Sequence, residues 1–248
     1  MNAIQHIANA TIAARTIRGV QIVKIGSACP PTCDTCSDAE DSGNAFQAAV
    51  DALCTDIEPG ARVMFSGHNA AELDRLPDWV ERVKAAGALQ VIVQADGRAL
   101  AYEGLVRVLR KSGVDLFAVP LHGPIAPLHD WVTQTNGGFM QTVRGIQNVK
   151  KAGGTVVLNS VIVRSNFRHL AGLVSVGGTL GARMVRLLWP YETGTAMSQL
   201  LSVTPVPDVV GPYVAEAEAE ATRTGLRLHV ELPQPGEKTV SDQSPESA

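Results

Sequence analysis

Residues 138–163 read GFMQTVRGIQNVKKAGGTVVLNSVIV, and two periodicities follow one another inside them. Phe139, Val143, Ile146 and Val149 recur at three- to four-residue steps, the spacing of one helical face. Gly153 and Gly154 then stop the helix. From 155 to 163 the chain is Val-rich and apolar almost throughout, as parallel strands covered on both faces tend to be.

The same unit recurs on either side. Apolar runs of strand length lie at 20–26, 61–67, 89–94, 115–123 and 182–189 as well as 155–163. Between them, 44–56 reads as a helix, and 70–86 places Leu73, Leu76, Val80 and Val83 on one face before Gly87 ends it. Ser165 or Asn166 is placed to cap a helix through about 178 carrying Leu170, Leu173 and Val174. Regular β–α alternation with long crossovers implies a parallel α/β sheet. Six repeats fit either a partial (βα)6 parallel barrel or an open doubly wound sheet. A further pair, helix 207–224 and strand 226–232, closes the series. Residues 1–17 form an N-terminal extension with a helix over 3–16 laid against the outside or the bottom of the domain. Residues 18–232 form one core domain, and 233–248 a disordered tail.

Composition excludes several roles. Charged residues are 18% of the chain, the net charge is −3 and aromatics are 4%, so neither a basic nucleic-acid footprint nor a base-stacking surface is present. No run approaches the roughly 20 apolar residues of a membrane span. The first twenty residues lack the basic and apolar regions of a signal peptide. A cytoplasmic protein is expected, where clustered cysteines serve metals or chemistry more often than disulfides.

Such a cluster follows the first strand. SACPPTCDTC, 27–36, brings Cys29, Cys33 and Cys36 together in a loop that Pro30 and Pro31 keep from becoming a regular helix. Cys54 stands apart in the helix 44–56 and reads as inert. A structural zinc would need a fourth ligand, Asp34 or a distant histidine. That reading gives a zinc-binding structural or regulatory α/β protein. A [4Fe–4S] cluster with one iron left open needs only three thiolates. Three unligated thiols are the remaining alternative.

C-x3-C-x2-C in the loop after the first strand of a βα series resembles the signature of the radical S-adenosylmethionine (SAM) enzymes. The resemblance implies a partial (βα)6 barrel, one [4Fe–4S] cluster on Cys29, Cys33 and Cys36, and SAM bound to the fourth iron. It implies reductive cleavage of SAM to a 5′-deoxyadenosyl radical that abstracts hydrogen from a small-molecule, natural-product or peptide substrate. A low-potential donor, flavodoxin or ferredoxin, is implied with it. The chain has no cysteine beyond Cys54, which limits it to one cluster.

The resemblance runs through about 18–232. In VMFSGHNAAEL (63–73), Ser66, Gly67, His68 and Asn69 occupy the place of the family's Gly-Gly-Glu segment, with His68 and Asn69 departing from it. Gln94 in VQADG, His122 at the end of the fourth strand and Asn159 in the fifth complete the implied SAM shell. His129 and Asp130 orient the loop before the next helix, while Asp34 and Tyr191 lie in loops where substrate would be met. Thr35 replaces the usual aromatic before the third cysteine. The altered Gly-Gly-Glu segment leaves a further alternative, a degenerate member that binds cofactor without turnover.

Overall fold

The computed structural model describes residues 20–25, 43–66, 74–190 and 203–233. Among these residues seven strands form one sheet in sequential order: β1 (Val20–Lys24), β2 (Arg62–Ser66), β3 (Gln90–Gln94), β4 (Leu116–Pro120), β5 (Thr155–Val161), β6 (Met184–Leu188) and β7 (Arg227–Glu231). The helices are α1 (Gly43–Asp56), α2 (Leu76–Ala85), α3 (Glu103–Ser112), α4 (Ala126–Thr133), α5 (Gly138–Lys151), α6 (Leu170–Thr179) and α7 (Pro207–Thr224). The pairings β1–β2, β2–β3, β3–β4 and β6–β7 are parallel. A doubly wound sheet reverses its strand order at a switch point. This order never reverses, which leaves the barrel-type α/β topology. The expected C-terminal helix and strand are present as α7 and β7.

The chain divides into two compact units. One contains β1 to β4, α1 to α3 and residues 140–157. Its strands are buried where the sequence is apolar: Val63, Met64 and Phe65 in β2, Val91, Ile92 and Val93 in β3, Phe117 and Val119 in β4. Leu76, Trp79, Val80 and Val83 of α2, Val106 and Leu109 of α3, and Ile146 and Val149 of α5 are also buried. Each such side chain contributes about 1.5–3 kcal/mol. Leu73 lies outside the described residues, but the rest of the helical face read from 70–86 is buried. Gly87 ends α2 at φ +113°, a left-handed backbone that a side chain strains.

Close approach fixes α5 within this unit. A methyl at Gly145 would strike the Gly97 carbonyl and lie 2.9 Å from the Leu100 Cβ. The Asn148 amide donates to the Leu100 and Ala101 carbonyls, both at 3.0 Å, so the turn after β3 is seated on α5.

The other unit contains residues 121–139 and 158–248, described as far as 233. Gly177 of α6 sits so near the sheet that an added Cβ would meet Val185 at 2.8 Å and Leu158 at 3.3 Å. Leu170, Leu173 and Val174 of α6 and Val210, Val214, Ala217 and Ala221 of α7 are buried.

Three local expectations change. The strand read as 115–123 ends at Pro120, so His122 lies two residues past it. Residues 126–133 form helix α4, so His129 and Asp130 lie on a helix rather than in a loop. Ser165 and Asn166 do not cap α6: Asn166 precedes a short 3-10 turn, Phe167–His169, and makes no side-chain capping bond there. Its amide serves backbone on either side instead. The expected N-terminal helix lies outside the described residues, as does all but the first residue of the tail.

Gly145→Ala is expected to lower stability by about 1–3 kcal/mol, because an extra methyl cannot be relieved against backbone. Gly104→Ala, where an added Cβ meets nothing within 4 Å, serves as the control and should leave stability unchanged or raise it by up to about 1 kcal/mol. Urea unfolding midpoints of the two variants check both outcomes.

Candidate cofactor site

Buried, nearly all-apolar strands make each polar side chain within them informative, because an unpaired buried polar group costs about 1–3 kcal/mol. Ser66 and Gln94 are the last residues of β2 and β3 and are 0% and 7% exposed. The Ser66 hydroxyl donates to Gln94 Oε1 at 2.6 Å. Gln94 thereby turns its oxygen to Ser66 and presents its amide nitrogen onward. The Ser66 carbonyl is already taken, accepting from the Ile25 N–H at 2.7 Å.

His122 is held from three sides in the other unit. Its ring Nδ1 accepts from the Val161 N–H at 3.4 Å, and its backbone N–H donates to His129 Nδ1 at 3.2 Å. Its carbonyl accepts from the Asn166 amide at 3.0 Å, and that amide also donates to Val161 O at 2.9 Å. Asn166 Oδ1 in turn accepts from the Val163 N–H at 2.8 Å. Asn166 therefore clamps the exits of β4 and β5 together. Burial, and secondarily the neighbouring His129, push the His122 pKa down to about 3. The ring is neutral, and with Nδ1 accepting, its proton sits on Nε2 as a donor.

Asn159, in β5, is fully buried. Its carbonyl accepts from the Leu121 N–H at 2.9 Å, beside His122 in the chain. Leu158 and Val185 are the residues that meet α6, so by strand alternation Asn159 and Arg186 lie on the face away from that helix. Arg186 Nη1 approaches Asn159 Oδ1 at 3.5 Å, and Arg186 Nη2 pairs with Glu231 of β7 at 3.2 Å. Burial lowers the Arg186 pKa, and the Glu231 carboxylate opposes that shift. Asn159 Nδ2 is buried with no hydrogen-bond partner among the described residues.

Asp130 performs the orienting role expected of it: its two carboxylate oxygens accept from Gly137 and Phe139 N–H, at 2.8 and 2.7 Å, at the start of α5. Burial pushes the Cys54 thiol pKa up, which suits the inert reading. Cys29, Cys33, Cys36, Gly67, His68 and Asn69 lie outside the described residues, with Asp34, Thr35 and Tyr191. Reading the sequence missed Arg186, Glu231 and the clamp role of Asn166. Charged residues at buried or half-buried positions of two strand-length segments, 182–189 and 226–232, were the available signal for the first two.

No protein-family model matches the chain. An AdoMet-dependent heme synthase of Oleidesulfovibrio alaskensis is 28% identical over 134 residues, 54% of this chain and 34% of that relative. The native enzyme anSMEcpe with bound AdoMet and the Kp18Cys peptide superposes with a TM-score of 0.66 at 13% identity, covering 85% of this chain and 63% of that one. SuiB of Streptococcus suis bound to its precursor peptide SuiA gives 0.60 at 11% identity, over 87% of this chain and 49% of that one. These solved structures share the fold of this chain, and its α/β architecture is the partial parallel barrel they have. The chain spans about a third of the length of the curated relatives it matches. Among its described residues no helix is long and apolar enough to cross a membrane.

The donor set suits SAM, whose carboxylate, ribose oxygens and adenine nitrogens are acceptors. Within one unit His122 and Asn159 both offer N–H groups, and the one on Asn159 is buried without a partner among the described residues. Buried neutral, His122 also has a signature in solution. Below pH 6.5 the unfolded chain takes up a proton that the folded chain refuses until about pH 3, so stability falls with falling pH in that window. His122→Gln is expected to remove up to about 1.4 kcal/mol per pH unit of that slope. Urea titrations of both proteins between pH 7 and pH 4 measure the difference.

Proposed function

We propose that this chain is a radical SAM enzyme acting on a peptide or small-molecule substrate. Cys29, Cys33 and Cys36 hold one [4Fe–4S] cluster, and Ser66, Gly67, His68, Asn69, Gln94, His122 and Asn159 meet SAM. With both cofactors bound, one-electron cleavage of SAM supplies a 5′-deoxyadenosyl radical that takes hydrogen from the substrate. The observation that carries the reading is positional. Lys24 ends β1 at the carboxyl edge, where parallel α/β proteins gather their ligands, and Cys29 follows it by five residues in the sequence. The three-thiolate donor set suits a cluster with an open iron, and the unpartnered Asn159 amide supports a bound acceptor beside it.

The chain's own part is orientation. Gln94 and Asn159 donate from fixed amides. Neutral His122 donates from Nε2 and adds no charge beside a sulfonium. The apolar strands around them keep water out. The peptide-bound neighbours favour a peptide over other substrates. A low-potential flavodoxin or ferredoxin delivers the electron, and the cytoplasm is the compartment that provides it.

Anaerobic reconstitution tests the reading. About four iron and four sulfide per chain are expected, with 5′-deoxyadenosine formed from SAM on adding dithionite. Cys33→Ala should abolish both the cluster and the product. One zinc per chain without iron would overturn the proposal, and a full cluster that neither binds nor cleaves SAM would favour the degenerate alternative.

A further inference from the structure

The linked side chains Asn159, Arg186 and Glu231 of β5, β6 and β7, the first two buried and the third half-buried, have no role in the reading above beyond Asn159 itself. We propose that Arg186 and Glu231 position the Asn159 amide so that Nδ2 donates to an acceptor atom of bound SAM, an inference that rests on the SAM reading. Three observations build it.

First, a guanidinium only donates. The Asn159 atom facing Arg186 Nη1 at 3.5 Å must therefore be Oδ1, and the amide cannot turn over without setting N–H against N–H. The contact is long for a hydrogen bond, but it is an ion–dipole contact in a buried setting, where such orientation is strong. Second, Arg186 is 3% exposed and is itself held by Glu231 Oε1 at 3.2 Å, an oxygen that also meets His229 Nε2 at 2.9 Å. The carboxylate balances the charge and fixes the fork. Third, the outcome is a fully buried Asn159 whose Nδ2 has no partner among the described residues. It lies on the face away from α6, and its own carbonyl is tied to Leu121, next to His122. Three strands thus contribute one side chain each to a single aimed donor. Arg186 and Glu231 are positioning residues: they act through Asn159.

The test is SAM affinity of the reconstituted protein, measured anaerobically by equilibrium dialysis without substrate or reductant. Asn159→Ala should weaken binding about tenfold, the worth of one hydrogen bond. Removing Arg186 alone would take away one charge partner of the half-buried Glu231 carboxylate, so Arg186→Met is combined with Glu231→Gln to remove both charges of the pair together. That pair should also cost several-fold, and adding Asn159→Ala to it should cost nothing more. Asn159→Asp keeps the Arg186 contact but lacks the donor, and should lose as much as the alanine variant. A purely structural role would lower the thermal midpoint while the effects on SAM affinity multiplied, which overturns the proposal. So does wild-type affinity in both Asn159→Ala and Asn159→Asp. A wild-type protein with a full cluster and no SAM binding would instead remove the parent reading, and this one with it.

Discussion

Strands buried on both faces tolerate few polar side chains, and that constraint organises this molecule. A neutral polar group without a partner costs about 1–3 kcal/mol there, and a lone charge more. Ser66 and Gln94 meet it by bonding to each other. Arg186 meets it through Glu231, and His122 by staying neutral. Asn159 meets it only in part, because Nδ2 is left over. A fold stable enough to carry that deficit keeps the donor ready for a ligand.

The clamp around His122 shows how a loop can be made as firm as a strand. Beyond Pro120 the chain has left the ladder, yet the His122 N–H, carbonyl and ring nitrogen are all engaged. Asn166 contributes two donors and an acceptor to backbone at three points, which a capping residue at the start of α6 would not do. The ring is thereby fixed in both orientation and tautomer. Pre-organisation of this kind lets a binding group act without ordering cost when the ligand arrives.

Much of this was legible beforehand, for physical reasons that differ by residue. Val143, Ile146 and Val149 announced α5 because helical spacing and a terminal Gly pair leave little choice. The strands were legible as apolar runs, although their last residues were overcounted where loops such as 121–123 are buried too. Helix α4 escaped because its eight residues are too few to show a helical period. Asn166 looked like a cap because it precedes a helix, but its amide turns back to Val161 and Val163 and across to the His122 carbonyl. Ser66, Gln94, His122 and Asn159 were legible as polar interruptions of buried strands or their exits. Arg186 and Glu231 interrupt strands in the same way, and pairing an unexplained positive charge with an unexplained negative one would have joined them.

That pairing bears on why the C-terminal helix and strand exist. β7 is the last strand of the sheet, and its side chains are mostly half-buried or exposed, so it adds little apolar burial. What it adds is Glu231, placed in register with Leu188 and within reach of Arg186. Without β7 the guanidinium would lose its Glu231 partner, and its pull on Asn159 Oδ1 would compete with its own desolvation. With β7 in place the pair is neutral, and His122 is neutral as well. Under the SAM reading, charge then enters with the cofactors while the protein supplies direction. The helix–strand pair 207–231 is for that reason a working part of the unit that holds Asn159, rather than an ornament at its edge.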